Sequence, residues 1–214
     1  MIERKMMKKS SLLLLLSAGL CLGVFAATAN ASSVLYDNLS ATTTDADSVS
    51  DLGPLANSFS TGSSPASLAQ VTLLLTGAHD SGTVTVQLLA DSATNPGAVL
   101  DTIGTVSDTS LSSSLADYEL TLSTPFALAA DTRYWIELSS TDGSSAAWGW
   151  SYDISGTGVA GEDASNEYGV FPNDESGDAP YQMRIDATPE PSSLVLLGTG
   201  IMGLAGVIRR KFAA

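Results

Sequence analysis

The chain has little nucleophilic or soft-metal chemistry to offer. Its 214 residues include one cysteine, Cys21, and one histidine, His79. Cys21 lies in an N-terminal stretch with the layout of a removable signal peptide. Leu20 stands before it, where a lipoprotein needs a small residue, so the exported form carries no thiol, disulfide or thiolate metal site. Basic residues are as scarce. Of nine, four are Arg4, Lys5, Lys8 and Lys9, and three are Arg209, Arg210 and Lys211. Only Arg133 and Arg184 remain between residues 32 and 188, against 21 acids, a net charge of −19 for that stretch. Such a field repels nucleic acid and anionic membrane surfaces, which excludes both as partners of the central region. Long apolar runs are also missing from the middle and occur only at the two ends.

Those ends read as targeting segments. Arg4 to Lys9 form a positive n-region, Leu12 to Leu16 begin an apolar h-region, and Ala29-Asn30-Ala31 offers a small-x-small cleavage site. Cleavage after Ala31 makes Ser32 the first mature residue, so residues 1–31 are expected to be a signal peptide handled by the Sec translocon. At the other end, Pro189-Glu190-Pro191 runs directly into an uncharged stretch from Ser192 to Ile208 and then into Arg209-Arg210-Lys211. As a helix this stretch is ~25 Å long, slightly short of a ~30 Å hydrocarbon core, and bilayer thinning or snorkelling bases can meet the difference. The basic cluster is expected to stay cytoplasmic and halt transfer in the inner membrane. A permanent tail anchor would look the same apart from the Pro-Glu-Pro. That tripeptide, span and basic cluster together resemble the PEP-CTERM sorting signal of Gram-negative bacteria, recognised by an exosortase. The resemblance implies residues 189–214 as a sorting signal with a transmembrane helix. It also implies transient anchoring in the inner membrane before delivery to the cell surface or extracellular matrix.

Residues 32–188 form one expected domain of about 157 residues, long enough for a substantial core. Alternation of period two recurs in it: Val71, Leu73, Leu75; Val84, Val86, Leu88; Tyr118, Leu120, Leu122; Tyr134, Ile136, Leu138; and Tyr181, Met183, Ile185. Turn signals such as His79-Asp80-Ser81-Gly82, Asn95-Pro96-Gly97 and Asp142-Gly143 separate the runs. No segment shows a helical stripe. The expected fold is therefore all-β, an antiparallel jelly-roll-like β-sandwich of roughly eight or nine strands. Segments around Val34-Tyr36 and Asn57-Ser60 are expected as edge strands, because their alternation is weaker. Leu89-Ala90-Asp91-Ser92, Asn95 to Leu100 and Leu128 to Ile136 resemble the choice-of-anchor R domain of secreted bacterial proteins. There one extracellular β domain is joined to different C-terminal anchors. That family has no established catalytic residues to carry over.

Few residues present themselves for chemistry. His79 with Asp80 and a serine could form a triad only on paper, since no Gly-x-Ser-x-Gly elbow accompanies them. Asp45, Asp47 and Asp51 imitate an EF-hand spacing but lack its glycine and its full ligand set. Glu162-Asp163 and Asp174-Glu175-Ser176-Gly177-Asp178 sit in Gly-rich loops, where paired acids could hydrolyse a glycoside or bind Ca²⁺. Asp174, Glu175 and Asp178 are the candidate metal ligands; no other cofactor is expected. Trp148, Trp150 and Tyr152, spaced by two, share one strand face and are either core or a platform for sugar rings. Gly149 and Ser151 read as the outer face between them. Trp135 falls on the face opposite Tyr134, Ile136 and Leu138, so either that face is covered or the indole is exposed and available to a sugar. The expectation is a non-enzymatic exported surface or matrix protein associated with exopolysaccharide. A secreted polysaccharide hydrolase using loop carboxylates is the alternative.

Overall fold

A computed structural model describes residues 32–173 and 180–189; the expected signal peptide with Ala29 and Ala31, the acidic loop Asp174, Glu175 and Asp178, and the C-terminal span with Arg209, Arg210 and Lys211 lie outside the described residues. The described chain is almost wholly β. Its strands are β1 (Ser33–Asp37), β2 (Asp45–Ser48), β3 (Leu55–Ser60), β4 (Ala66–Thr76), β5 (Thr83–Asp91), β6 (Pro96–Ser107), β7 (Ala116–Leu128), β8 (Arg133–Ser139), β9 (Ala147–Trp150), β10 (Asp163–Asn166), β11 (Gly169–Pro172) and β12 (Met183–Pro189). One helical turn, α1 (Val49–Leu52), and a 3₁₀ turn at Asp108–Ser110 interrupt them.

All pairings are antiparallel and fall into two sheets. In the first, β12 lies between β1 and β4, and β7 pairs with the far edge of β4. The short β9 continues the β12 side of β4, because Leu75 pairs with Trp148 on one side and Ala116 on the other. β2 closes that end. The second sheet has the order β11-β10-β3-β8-β5-β6. Setting aside the four-residue strands, β1-β12-β4-β7 faces β3-β8-β5-β6, and the chain crosses between layers as in a jelly roll.

The alternating residues fill the space between the layers. Val71, Leu73, Val84, Val86, Leu88, Ile136, Leu138, Met183 and Ile185 have no exposed surface. Each large aliphatic side chain withdrawn in this way contributes roughly 1.5–3 kcal/mol. In β4 a bulge at Ala69 lets Leu68 and Val71, an odd number of residues apart, both point inward, so Leu68 meets Ala187 and Val71 meets Ile185. β1 is an edge strand as expected. β3 is not: it runs between β10 and β8, and both its faces are covered. Its weak alternation comes from Asn57, a buried inward residue. The Asn57 side chain accepts from the Tyr181 backbone N–H (3.1 Å) and donates to the Ser58 carbonyl (2.9 Å), joining the layers where an apolar residue would be expected.

Candidate functional site and sorting signal

The outward residues of the first sheet form a groove. Cross-strand register sets Asp37 beside Arg184, Arg184 beside Thr72, and Thr72 beside Glu119, a single row from β1 to β7. Directly paired residues share a face, so Gln70 and Leu74 on β4 and Asp117 on β7 project to the same side. The resulting depression has a volume of about 560 Å³, with Gln70 and Thr72 as its floor and Leu39 and Ser40 at its rim. Arg184 forms one wall. It donates twice to the Asp186 carboxylate (2.8 and 3.0 Å) and once to Asp37 (3.2 Å), and the Asp186 bonds, then Asp37, raise its pKa further above its ordinary value. Asp117 and Glu119 form the other wall, and Glu119 accepts from the Thr121 hydroxyl (3.2 Å). Nothing in the sequence pointed to this site. Each residue occupies the polar half of an alternation, and only strand order brings four such halves together.

The aromatic stripe divides at the end of β9. Trp148 pairs with the inward Leu75, has no exposed surface, stacks on Tyr181 at 4.9 Å and donates its indole N–H to the Gln182 carbonyl (2.8 Å). Trp150 is half-buried and donates to Asp47 (3.0 Å). Tyr152 lies beyond the strand, 45% exposed, with its ring edge-on to Trp150 at 5.1 Å. Trp135 is also fully buried, packed with Ala56, Leu89 and Val170 and donating to Asp91 (2.9 Å). Trp148 and Trp135 are therefore closed to a sugar; of the four aromatics, only Trp150 and Tyr152 keep exposed surface. Gly149 and Ser151 are not an exposed face either. Leu74 and Leu115 cover Gly149, where an added Cβ would lie 2.8 Å from Leu74 Cδ2, and Ser151 is buried.

The loop acids are held by structure. Glu162 is 5% exposed, accepts from the Ser58 hydroxyl and lies 3.3 Å from Arg133 Nε. Asp163 pairs with Arg133 Nη1, and the second guanidinium arm donates to the Gly161 carbonyl (2.7 Å). One arginine thus occupies both carboxylates, which leaves neither free as a catalytic acid or base. Asp47 accepts from Trp150 and from the Tyr181 hydroxyl (2.7 Å), and Asp51 is exposed on α1, so the Asp45-Asp47-Asp51 series does not converge. Asp80 accepts from the backbone N–H groups of Gly82 (2.8 Å) and Ser145 (2.7 Å), which hold its pKa below the usual carboxylate value. His79 is exposed in the turn before it. Among the described residues no group of three or more His, Cys, Asp or Glu is placed to hold a metal ion. Nor is any described helix long and apolar enough to cross a membrane.

The segments Leu89 to Ser92 and Leu128 to Ile136 serve the scaffold. Asp91 accepts from both the Trp135 indole and the Thr94 backbone N–H (3.2 Å), and the Tyr134 hydroxyl accepts from Ala129 N–H (2.9 Å).

β12 ends at Pro189, which pairs with Ala66; Glu190 and Pro191 lie outside the described residues. The last strand therefore reaches the first residue of the Pro-Glu-Pro motif, and the β fold with that motif defines an exported all-β protein with a C-terminal sorting signal. Residues 187–211 match the family described as the PEP-CTERM protein-sorting motif. The chain thus carries a C-terminal PEP-CTERM sorting motif, which indicates export and sorting by an exosortase. No curated protein matches it.

Proposed function

We propose that this protein is a non-enzymatic component of the cell surface or extracellular matrix of a Gram-negative bacterium, bound to exopolysaccharide through its sandwich. The polar groove on the outer face of β1-β12-β4-β7 carries this reading: it is large enough for a saccharide segment and lined by side chains that exchange hydrogen bonds with hydroxyls. The engagement of Glu162 and Asp163 by Arg133 argues against the hydrolase alternative. The resemblance to anchor-swapping domains, which combine a shared β domain with varied tethers, agrees with a binding role. In this scheme residues 1–31 direct the chain to the Sec translocon and are removed. Leu194 to Ile208 holds it in the inner membrane with Arg209, Arg210 and Lys211 inside, until the exosortase acts at Pro189-Glu190-Pro191. The test is to incubate the full chain, in detergent micelles, with the host's own extracellular polysaccharide. Retention of the protein on the polymer without release of reducing ends is the expected result; release of reducing ends would establish the hydrolase instead.

A further inference from the structure

Neither the Thr72 hydroxyl on the floor of the groove nor the Gln70 side chain beside it has a hydrogen-bond partner among the described residues, so both are open to water or to a ligand in the groove. Arg184 has the same surplus: a guanidinium has five N–H donors, and Asp186 and Asp37 take three. The floor and one wall therefore present unused donors on rigid strands. The facing wall presents acceptors, Asp117 and Glu119. Arg133 and Arg184 are the described arginines, and both are already paired with carboxylates, so these two acids face no free guanidinium among the described residues. No aromatic ring lines the groove.

We infer that the groove is a binding site for a neutral, hydroxyl-rich polysaccharide chain and that Asp117 and Glu119 exclude acidic polymers from it. The inference rests on the polysaccharide reading above and narrows it to a site and a polymer class. A sugar hydroxyl both donates and accepts, so it can take a hydrogen bond from Arg184, Thr72 or Gln70 and return one to Asp117 or Glu119. A uronic acid brings a further carboxylate into a groove lined by Asp37, Asp117 and Glu119, whose one arginine is already paired with Asp37 and Asp186, and the net effect is repulsive. Four strands at ~4.8 Å spacing make the row from Asp37 to Glu119 ~14 Å across, wide enough for a chain lying over the sheet.

The experiment measures retention of the full chain, in detergent micelles, on an immobilised neutral β-glucan, a mannan, alginate and the host's extracellular polysaccharide. The wild-type chain is expected to bind at least one neutral polymer and not alginate. Thr72→Val and Gln70→Ala should each weaken neutral-polymer binding by roughly 3- to 10-fold, the worth of one hydrogen bond, with the melting temperature unchanged. Tyr168→Ala, in the exposed β10–β11 turn of the opposite sheet, should bind normally. The double variant Asp117→Asn/Glu119→Gln should gain retention on alginate. Binding of alginate by the wild type, or retention on a cationic amino polymer alone that vanishes with salt, would overturn the assignment. Retention on the host polymer unaffected by Thr72→Val and Gln70→Ala would overturn the groove and leave the broader reading standing. Absence of retention on the host polymer would end both.

Discussion

Trp148 and Trp150 are two residues apart on one strand but differ in what a truncation removes. Trp148 fills the sandwich against Tyr181, so Trp148→Ala should destabilise the protein by about 3–5 kcal/mol through the cavity it leaves, measured by denaturant unfolding. Trp150→Ala should cost clearly less, because part of that ring already faces water. Equal losses for the two would contradict the placement of β9. Asp80 and Asp142 set a different kind of expectation. Asp142 accepts from the Thr83 hydroxyl and from its N–H (2.9 Å), and those bonds lower its pKa, as the Gly82 and Ser145 amides lower that of Asp80. A carboxylate with a depressed folded-state pKa stabilises the fold above its unfolded value, about 3.9, and that contribution is lost as pH falls through the lower folded value. Asp142→Asn should therefore lower the melting temperature at pH 7, and the deficit should shrink as the pH falls below the unfolded value. A deficit that persists undiminished in acid would mean that the loop is held by something other than the charge.

At the scale of single elements, one side chain ties the hairpin β10-β11 to β8. Arg133, at the start of β8, reaches Glu162 and Asp163, and Glu162 is buried. Arg133→Met leaves a buried carboxylate unpaired and should cost about 2–4 kcal/mol, discounted from a fully buried pair because the guanidinium is partly exposed. The double variant Arg133→Met/Glu162→Gln should recover part of the loss, and its failure to do so in a double-mutant cycle would show that the pair contributes nothing. The turn between β5 and β6 is strained instead. Ala93 (φ 52°) and Thr94 (φ 66°) occupy positions that favour Asn and Gly, so Ala93→Asn/Thr94→Gly should raise the melting temperature, and a lower one would refute the turn geometry. Strands of this kind differ in how visibly the sequence announces them. β4, β5 and β8 alternate cleanly because one face is core. β6 alternates poorly because it is an edge with bulges, exposing Val99 and Leu100, and its extent was not legible. β10 and β11, four residues each, are too short for a period to show. β3 was found but misplaced, since Asn57 in the core looks from sequence like an exposed position. The groove stayed hidden for a further reason: alternation reports which face a residue takes, and says nothing of which strands are neighbours.

For the whole molecule, the junction between fold and tail sets an expectation for export. Pro189 ends β12 in extended form and Pro191 disfavours helix at Glu190, so the tripeptide is expected to continue extended toward the membrane boundary, within reach of a membrane-embedded enzyme. Changing the tripeptide to Ala-Ala-Ala should leave membrane insertion intact and trap unprocessed protein in the inner membrane, read by fractionation and by the mass of the C-terminal peptide. Loss of the tail at the normal rate in that variant would reduce the motif to a connector. The register of β12 carries a mechanical consequence as well. Pro189 pairs with Ala66, and Ser33 lies beside Ala187, so the end of the domain leaves from a strand flanked along most of its length by β1 and β4. Interstrand hydrogen bonds lie across the strands, so tension along β12 loads the two ladders together, in shear, instead of opening one bond at a time. Thr72 and Arg184 stand on β4 and β12 themselves. Drag on a polymer seated over them would pass to a tether at the end of β12 along the direction in which a β-sheet yields last.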